Sequence, residues 1–410
     1  MLKLTDVVII IRNVFTAPST LEKSRLKPNF FTRIRKLPFS TVLSIMLCMF
    51  HESTQKMLNK FFDDVTCSQQ AFSKSRHKFT EYPFVRAFEC VRNAFYSAVN
   101  RDSLKAFHNY HLFAIDGSSF ALPDLKSLLS LFGGTGRNAD SPTARASIVY
   151  DLLNKFIVDA DIQPLTTDER TMALKHILSV KDIINLSKSI FIMDRGYPSE
   201  KFMRELLGIT NFVMRVKSGF NKTIDNLSIG DHSIVLYQGI TVRILKFKLN
   251  SGEIETLITN VNDIPFDEFK KLYFMRWGVE IVFDILKNKL EITNWNGWSE
   301  ICIRQEFFLG ILLSNVVSIA EREAAEVVNN IRKQGNKHKY KPNITNIVSA
   351  LKEQLSLAVF ASSNDESLLL SQKILTQAAY QPVPIRPGRS FTRNNSPRNT
   401  KYYKSRKSPL

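Results

Sequence analysis

Residues 273–287 read YFMRWGVEIVFDILK, a pattern that predicts a helix in the interior of the fold. At 100° per residue, the tyrosine and all of the charged side chains fall within an arc of about 80°. These residues are Tyr273, Arg276, Glu280, Asp284 and Lys287. Every other residue from Phe274 to Leu286 is apolar or glycine, so the pattern predicts a buried helix with one narrow polar stripe.

The residues of this stripe leave two interpretations open. Arg276 and Glu280 are four positions apart, as are Glu280 and Asp284, and this is the spacing of ion pairs along a helix. Buried ion pairs add little net stability, because desolvation offsets much of the Coulomb attraction. The stripe is therefore either a structural ladder of ion pairs or a site for a metal ion and a polyanion.

Two aspartates outside this helix favour the metal site. Asp116 and Asp194 follow the short apolar runs Leu112–Ile115 and Ile190–Met193, which predict buried strands, and a glycine follows each aspartate within two residues. Asp before Gly is a common turn signal, but carboxylates at strand ends also project into the crevice there. Together with Glu280 they predict a site for Mg²⁺, which prefers oxygen ligands. Three carboxylates could hold a pair of ions about 4 Å apart across a scissile phosphate.

The elements around these residues predict an α/β fold. Further strands are predicted at 147–153, 156–162 and 211–216, and helices at 166–180 and 198–207. Strands that alternate with helices in this way predict a mixed sheet flanked by helices. Residues 217–262 alternate short apolar segments with glycine-containing turns, which predicts a β-rich insertion. One long helix is then predicted from Pro265 to about Leu290.

The flanks of this domain are predicted to be helical. In residues 1–107, the segments 54–62 and 69–78 form either a helix-turn-helix pair that contacts DNA or solvated basic helices of an all-helical domain. Residues 301–380 are predicted to be helical and to provide contacts for dimerisation. Residues 381–410 contain eight basic residues and no acidic one, which predicts a disordered basic tail.

The overall charge indicates a polyanionic partner. The chain has 56 Lys and Arg against 38 Asp and Glu, a net charge of +18, which favours nucleic acid over the alternative of a basic protein without such a partner. Its four cysteines include no C-x-x-C pair and are predicted to be buried thiols in a reducing compartment. The N-terminus lacks the order of a signal peptide, and the longest apolar runs fall short of the roughly 20 residues of a membrane helix. We expect a cytoplasmic protein without a membrane partner.

The sequence also resembles the insertion-sequence-four family of bacterial DDE transposases. The spacing Tyr273-x₂-Arg276-x₃-Glu280-x₆-Lys287 reproduces the signature of that family. The segments IDGS at 115–118 and DRGY at 194–197 resemble the family's surroundings of its first and second aspartates. The β-rich stretch between Asp194 and Glu280 resembles its β-strand insertion. The resemblance covers about residues 108–300 well and the flanks only loosely.

This resemblance implies a ribonuclease-H-like catalytic domain at 108–300, with the insertion at 217–262. It also implies a DNA-end-binding region at 1–107 and a homodimer that holds the inverted terminal repeats of a double-stranded element for insertion into target DNA. Tyr273, Arg276 and Lys287 would hold DNA phosphates near the cleaved end. An aromatic side chain would stack on a base flipped from the DNA end. The candidates for that stacking, among which the sequence does not choose, are Phe220, Tyr237, Trp295 and Trp298.

The predicted function is therefore cut-and-paste transposition in a bacterial cytoplasm, close to the nucleoid. Asp116, Asp194 and Glu280 are predicted to be catalytic and to bind Mg²⁺, as two ions for which Mn²⁺ could substitute. Two alternatives are a DNA-binding regulator that no longer cuts and a ribonuclease-H-like nuclease that cuts without joining.

Overall fold

The computed structural model describes residues 1–33, 35–48, 54–62, 67–101, 103–236, 239–249, 252–331 and 338–386. Tyr237 and residues 387–410 of the predicted tail lie outside these described residues. The chain forms two compact units, each made of segments that are discontinuous in sequence. The helical unit contains Met1–Phe95, Ala121–Ser130 and the chain from Asp284 onward. The sheet unit contains Tyr96–Phe120 and Leu131–Phe283.

Helices and strands follow one another along the chain with clear boundaries. The helices are α1 (Leu4–Thr16), α2 (Pro18–Ser24), α3 (Phe39–Leu47), α4 (Thr54–Phe61), α5 (Gln69–Arg76), α6 (Tyr82–Phe95), α7 (Ala98–Arg101), α8 (Lys126–Phe132), α9 (Glu169–Ser179), α10 (Glu200–Leu206), α11 (Lys222–Asp225), α12 (Phe266–Met275), α13 (Trp277–Asp284), α14 (Glu300–Ile331), α15 (Ile344–Val359) and α16 (Asn364–Ala379). The strands are β1 (His111–Ala121), β2 (Gly134–Thr135), β3 (Ser141–Asp151), β4 (Phe156–Pro164), β5 (Ser189–Met193), β6 (Asn211–Val216), β7 (Gly230–Leu236), β8 (Ile240–Lys248), β9 (Ile254–Thr259), β10 (Tyr340–Lys341) and β11 (Val383–Pro384). A 3₁₀ turn covers Leu186–Lys188, and a π-helix covers Ile285–Lys289.

The sheet unit is built on one nine-stranded sheet. Its order is β2-β3-β1-β5-β6-β9-β8-β7, with β4 paired to β3. β5 runs parallel to β1 and to β6, whereas β6, β9, β8 and β7 pair in antiparallel fashion. Helices such as α9 and α10 connect the strands of the parallel part. This mixed sheet flanked by helices, with helical regions at both ends of the chain, confirms the fold class predicted from the sequence.

The β-rich stretch after β6 extends the same sheet. Val216 of β6 pairs with Thr256 of β9, and β8 and β7 follow as the outermost strands on this side. The predicted strands of this stretch are confirmed to within a few residues. Because the stretch continues the hydrogen-bonding ladder of the sheet, it needs no separate core of its own.

The parallel pair β1 and β5 positions the two predicted aspartates. Leu112 lies opposite Ile190, and the paired register ends with Ala114 opposite Ile192. Asp194 directly follows β5, as predicted. Asp116 was expected at the end of its strand, but β1 continues to Ala121 because its other edge lies beside the long strand β3. Asp116 therefore lies within β1, just beyond the last residue that pairs with β5.

The predicted long helix after Pro265 is interrupted. α12 ends at Met275, α13 begins at Trp277, and the backbone changes to the π-helix at Ile285. Phe269 and Leu272 of α12 are fully buried in a core cluster with Ile190, Val213 and other residues of the sheet. This packing fixes α12 on the sheet and thereby positions the residues that follow it.

In the helical unit, α14 is the central helix and packs against α6, α15 and α16. Its apolar side chains, including Phe307, Ile311 and Val316, are fully buried. Among the described residues, Glu300–Asn330 is long and apolar enough to cross a membrane, but 78% of its most apolar window is buried inside the protein. The apolar run Phe307–Ala320 is thus part of the core of the helical unit.

The basic helix predicted at 69–78 forms as α5, but one of its basic side chains is buried. Ser68 is the N-cap of α5, since its hydroxyl accepts a hydrogen bond from the Ala71 N–H at 3.2 Å. The helix ends at Arg76, and this arginine is 2% exposed with its Nη1 2.9 Å from Glu306 Oε1. Arg76 is therefore a structural residue of the helical unit. The helix-turn-helix interpretation of α4 and α5 stays a prediction, because residues 63–66 lie outside the described part of the chain.

Candidate active site

The sheet unit brings the three predicted acids together around one guanidinium group. Asp116 comes from β1, Asp194 from the turn after β5, and Glu280 from α13. The Arg276 guanidinium lies 3.8 Å from Asp116 Oδ2, 3.6 Å from Asp194 Oδ2 and 3.1 Å from Glu280 Oε1. We call these four residues the acidic site.

Tyr273 supports this site from α12. Its hydroxyl donates a hydrogen bond to Asp194 Oδ1 at 3.1 Å, and its ring lies beneath the Arg276 guanidinium, 5.7 Å from centroid to Cζ. Burial raises the pKa of Tyr273 well above its ordinary value, and the charge of Asp194 acts in the same direction. The hydroxyl therefore stays protonated and serves as a donor that orients the Asp194 carboxylate.

The charges in the acidic site do not balance. Three carboxylates share one guanidinium, and Arg276 Nε is buried with no hydrogen-bond partner among the residues that the structure describes. The pKa of Asp116 is raised to about 6, mainly by burial and to a smaller extent by the charges of Asp194 and Glu280, whereas Arg276 and the Gly117 N–H oppose this rise. Such a cluster favours the binding of an additional cation.

The donor chemistry fits a hard divalent ion, but the side chains are not arranged as its ligands. Within the described ranges, no three His, Cys, Asp or Glu side chains are positioned to hold one metal ion. The carboxylates are turned toward the guanidinium, which supplies positive charge in their midst. Three oxygen-donor groups with a net negative charge are the ligands that Mg²⁺ prefers. An ion bound here would take over contacts that Arg276 now makes.

Both sequence interpretations of the polar stripe find some support in these contacts. Arg276 and Glu280 do form the predicted ion pair between residues four apart. The ladder does not extend to Asp284, whose Oδ1 accepts a hydrogen bond from Asn288 Nδ2 at 2.6 Å. Asp116 and Asp194, which come from the sheet, join the pair instead. Lys287 lies in the π-helix and belongs to the helical unit, so its role as a phosphate contact stays a prediction.

The prediction that α12 and α13 are apolar and buried around most of their circumference is wrong. Phe274 is 77% exposed, Trp277 45% and Ile281 54%, although Tyr273 and Arg276 are buried. The helices pack with the side that carries Tyr273, Val279 and Val282 inward, which leaves the opposite apolar side in contact with solvent. Apolar spacing in a sequence indicates a face of a helix but not whether another element covers it.

The four aromatic candidates for base stacking differ in exposure. Trp295 is 1% exposed and its Nε1 donates to the Ala121 carbonyl at 2.8 Å, so it is a core residue of the helical unit. Trp298 is 39% exposed, Phe220 is half-buried, and Tyr237 lies outside the described residues. Phe274 and Trp277, which were not considered from the sequence, also present aromatic surface to solvent.

Sequence reasoning also missed a group of residues beside the two aspartates: Arg145, Glu169 and Tyr197. Glu169 begins α9, and its carboxylate lies over both Gly117 and Gly196. Tyr197 immediately follows Gly196 and is 2% exposed. The DRGY segment contained a signal for Tyr197, but nothing in the sequence links Glu169 to either aspartate.

Comparison with known proteins gives a family and a likeness to solved structures. The sequence model of the transposase DDE domain matches residues 108–316, just over half of the chain. Among solved structures, the chain is similar to the piggyBac transposase in the cryo-EM structure of its synaptic complex with hairpin DNA. That likeness has a TM-score of 0.47 at 11% identity and covers 93% of this chain and 87% of that chain. No curated protein matches the sequence.

Proposed function

This chain belongs to the transposase DDE domain family, and from that premise we propose that it cuts and joins DNA strands with Mg²⁺ held by Asp116, Asp194 and Glu280. One observation carries the proposal. Acids from β1, the turn after β5 and α13 meet within 4 Å of a single guanidinium, and their combined charge exceeds that of this partner. Carboxylates from separate segments that converge in a partly buried site are suited to binding a cation, and this supports the proposal.

The metal supplies the chemistry of the reaction. If two ions were bound, Mg²⁺, or Mn²⁺ in its place, would supply activation of an attacking hydroxyl and stabilisation of the leaving oxygen. Asp116, Asp194 and Glu280 hold the metal, and Tyr273 keeps the Asp194 carboxylate in position through its hydrogen bond. The burial that raises the pKa of Asp116 also strengthens the attraction between these carboxylates and a cation, because water screens their charges less.

Arg276 has two successive roles in this proposal. Without metal, its guanidinium neutralises part of the charge of the three acids. With a metal bound by the acids, the guanidinium would instead hold a DNA phosphate, for which its planar fork is suited. Tyr273 and Lys287 are the further phosphate contacts that we propose, on the strength of the family signature.

The proposed substrate is the double-stranded DNA at the inverted terminal repeats of an insertion sequence, together with its target DNA. The net charge of +18 supports a polyanionic partner of this kind. The spacing from Tyr273 to Lys287 supports membership of the insertion-sequence-four group. We further propose that a homodimer holds the two ends and that the protein acts in the bacterial cytoplasm, close to the nucleoid.

Nicking of supercoiled plasmid that carries candidate element ends tests this function. Wild type is expected to cut with Mg²⁺ or Mn²⁺ and to be inactive in EDTA, whereas Asp194→Asn is expected to bind the same DNA without cutting it. Lys175→Ala is a suitable control, because it breaks an ion pair of 2.9 Å with Asp161 in the same unit and leaves the acidic site intact. Wild type that binds the ends but cuts with neither metal would contradict the proposal.

A further inference from the structure

Gly117 and Gly196 lie close to one side chain, and their backbone conformation does not itself call for glycine. Neither glycine has the positive φ at which glycine is favoured. A Cβ on Gly117 would lie 3.3 Å from Glu169 Oε1, and a Cβ on Gly196 would lie 3.1 Å from Glu169 Oε2. The two oxygens of one carboxylate thus occupy the space above both glycines. These are the glycines that follow Asp116 and Asp194 in the sequence.

The Glu169 carboxylate is fixed in this position from two sides. Arg145 of β3 reaches it with Nη1 at 2.9 Å from Oε1. Glu169 is also the first residue of α9, directly after the N-cap Asp168, where the helix dipole favours a negative charge. The pair with Arg145 therefore joins the start of α9 to the sheet, beside the two aspartate-bearing segments.

Tyr197 provides an independent observation on the same group. Its hydroxyl is buried and has no hydrogen-bond partner among the described residues. Its pKa is raised well above the ordinary value by burial first, then by the charges of Asp116 and Glu169. Its own N–H donates to the Asp194 carbonyl at 3.1 Å. The Tyr197 hydroxyl is therefore a buried hydrogen-bonding group in the segment that carries Asp194.

We infer that Glu169, held by Arg145, is a positioning residue that sets the spacing between Asp116 and Asp194. The inference rests on the proposed function, because it assigns Glu169 to the support of the proposed metal ligands. Glu169 acts through Gly117 and Gly196, because its two oxygens lie 3.3 and 3.1 Å from where a Cβ on each glycine would stand. Loss of the Glu169 carboxylate lets the segments of Gly117 and Gly196 approach each other. A methyl group on either glycine pushes that segment away from the carboxylate. Both changes move metal ligands whose geometry must be held within a few tenths of an ångström.

The test combines metal affinity with cleavage. Mn²⁺ binding to the DNA-free protein is measured by electron paramagnetic resonance. Single-turnover cleavage and DNA affinity are measured in separate experiments, and thermal unfolding monitors the fold. Glu169→Ala is expected to weaken Mn²⁺ binding and to slow cleavage by about 10- to 100-fold, the range found when groups that orient metal ligands are removed. DNA affinity should stay within about twofold of wild type. Glu169→Gln keeps the shape of the side chain and should therefore lose less Mn²⁺ affinity and less cleavage rate than Glu169→Ala does.

A double-mutant comparison separates positioning from a general structural role. Gly196→Ala should weaken Mn²⁺ binding in the wild-type background, but much less once Glu169 is alanine, because the carboxylate that the methyl group meets is then gone. The matched control is Lys175→Ala, which breaks an ion pair of the same 2.9 Å length on the same helix. It should leave Mn²⁺ affinity unchanged.

The outcomes distinguish this inference from the proposed function. If Glu169→Ala binds Mn²⁺ and cleaves like Lys175→Ala, or if the effects of Glu169→Ala and Gly196→Ala add fully, the inference is wrong and the proposed function stands. If wild type binds Mn²⁺ and Glu169→Ala loses this binding, but neither cleaves DNA, the inference is supported and the proposed function is wrong.

Discussion

Two buried arginines, Arg76 in the helical unit and Arg276 in the sheet unit, differ in how their charge is balanced. Each nitrogen of the Arg76 guanidinium has a partner. Nε donates to Gln305 Oε1 at 3.2 Å, Nη1 to Glu306 Oε1 at 2.9 Å and Nη2 to the Cys302 carbonyl at 3.3 Å. Glu306 in turn accepts hydrogen bonds from the backbone N–H groups of residues 296 and 297. One base faces one acid, and each guanidinium nitrogen and both carboxylate oxygens take part in a hydrogen bond.

Arg276 has the opposite arrangement. It faces three acids at 3.1 to 3.8 Å, and its Nε has no partner among the described residues. Burial of both arginines is similar, at 2% and 7% exposure, so burial does not distinguish a structural ion pair from a binding site. The balance of charge and the completeness of the hydrogen bonds do distinguish them. Four predictions test this distinction, in order of decreasing effect.

The largest effect is expected from removal of a proposed metal ligand. Asp194→Ala should slow cleavage by at least about 10⁴-fold, more than about 5 kcal/mol in the activation barrier, because the metal supplies most of the charge stabilisation. Its stability in EDTA should equal or exceed that of wild type, since one of three like charges is removed. Plasmid nicking and thermal unfolding on the same samples measure both. A large loss of stability would place Asp194 with the structural residues instead.

Removal of the balanced arginine should act on the fold. Arg76→Met leaves Glu306 buried without its cation, which is expected to lower the free energy of unfolding by about 3 to 5 kcal/mol. Urea denaturation measures the loss, and cleavage by the molecules that remain folded should match wild type. A loss below about 1 kcal/mol would show that the hydrogen bonds of the pair, complete as they are, add nothing to stability.

The unbalanced site should also make stability depend on pH. The pKa of Asp116 is about 6 in the folded protein against an ordinary 3.8, so the folded state holds the proton more tightly than the unfolded state does. Stability therefore rises as the pH falls from about 6 toward 4, by up to about 3 kcal/mol for this shift. In EDTA, Asp116→Asn should exceed wild type in stability at pH 7, and the difference should shrink by pH 4.5. A difference that is independent of pH would contradict this assignment.

The smallest effect concerns the competition between Arg276 and the metal. Arg276→Ala should bind Mn²⁺ more tightly than wild type in the absence of DNA, by about 5- to 150-fold, the usual range of coupling between two ligands. The same variant should bind DNA ends more weakly. Lys175→Ala is the control, because Lys175 pairs with Asp161 within the same unit at 2.9 Å and lies outside the acidic site. Equal or weaker Mn²⁺ binding by Arg276→Ala would show that the guanidinium supports the metal instead of competing with it.

Local patterns were sufficient to predict most of the secondary structure. The apolar runs before Asp116 and Asp194 gave β1 and β5, and the N-cap at Ser68 gave the start of α5. The same reasoning nominated the three acids that the structure brings together. Its error for Phe274, Trp277 and Ile281 has a physical cause: the 3.6-residue period is set within the helix, whereas burial depends on whether a distant segment covers each face.

The sequence by itself determined the order of helices and strands, the mixed sheet and the three acids to examine, because these follow from periodicity, turn residues and charge along the chain. Only the tertiary structure decided that Arg276 lies among all three acids while Arg76 pairs with a single one. It also decided that Glu169 occupies the space above Gly117 and Gly196, two glycines that the sequence presents as turn signals. Most of these contacts join residues that are far apart in the chain, and they arise only when helices and strands pack against one another.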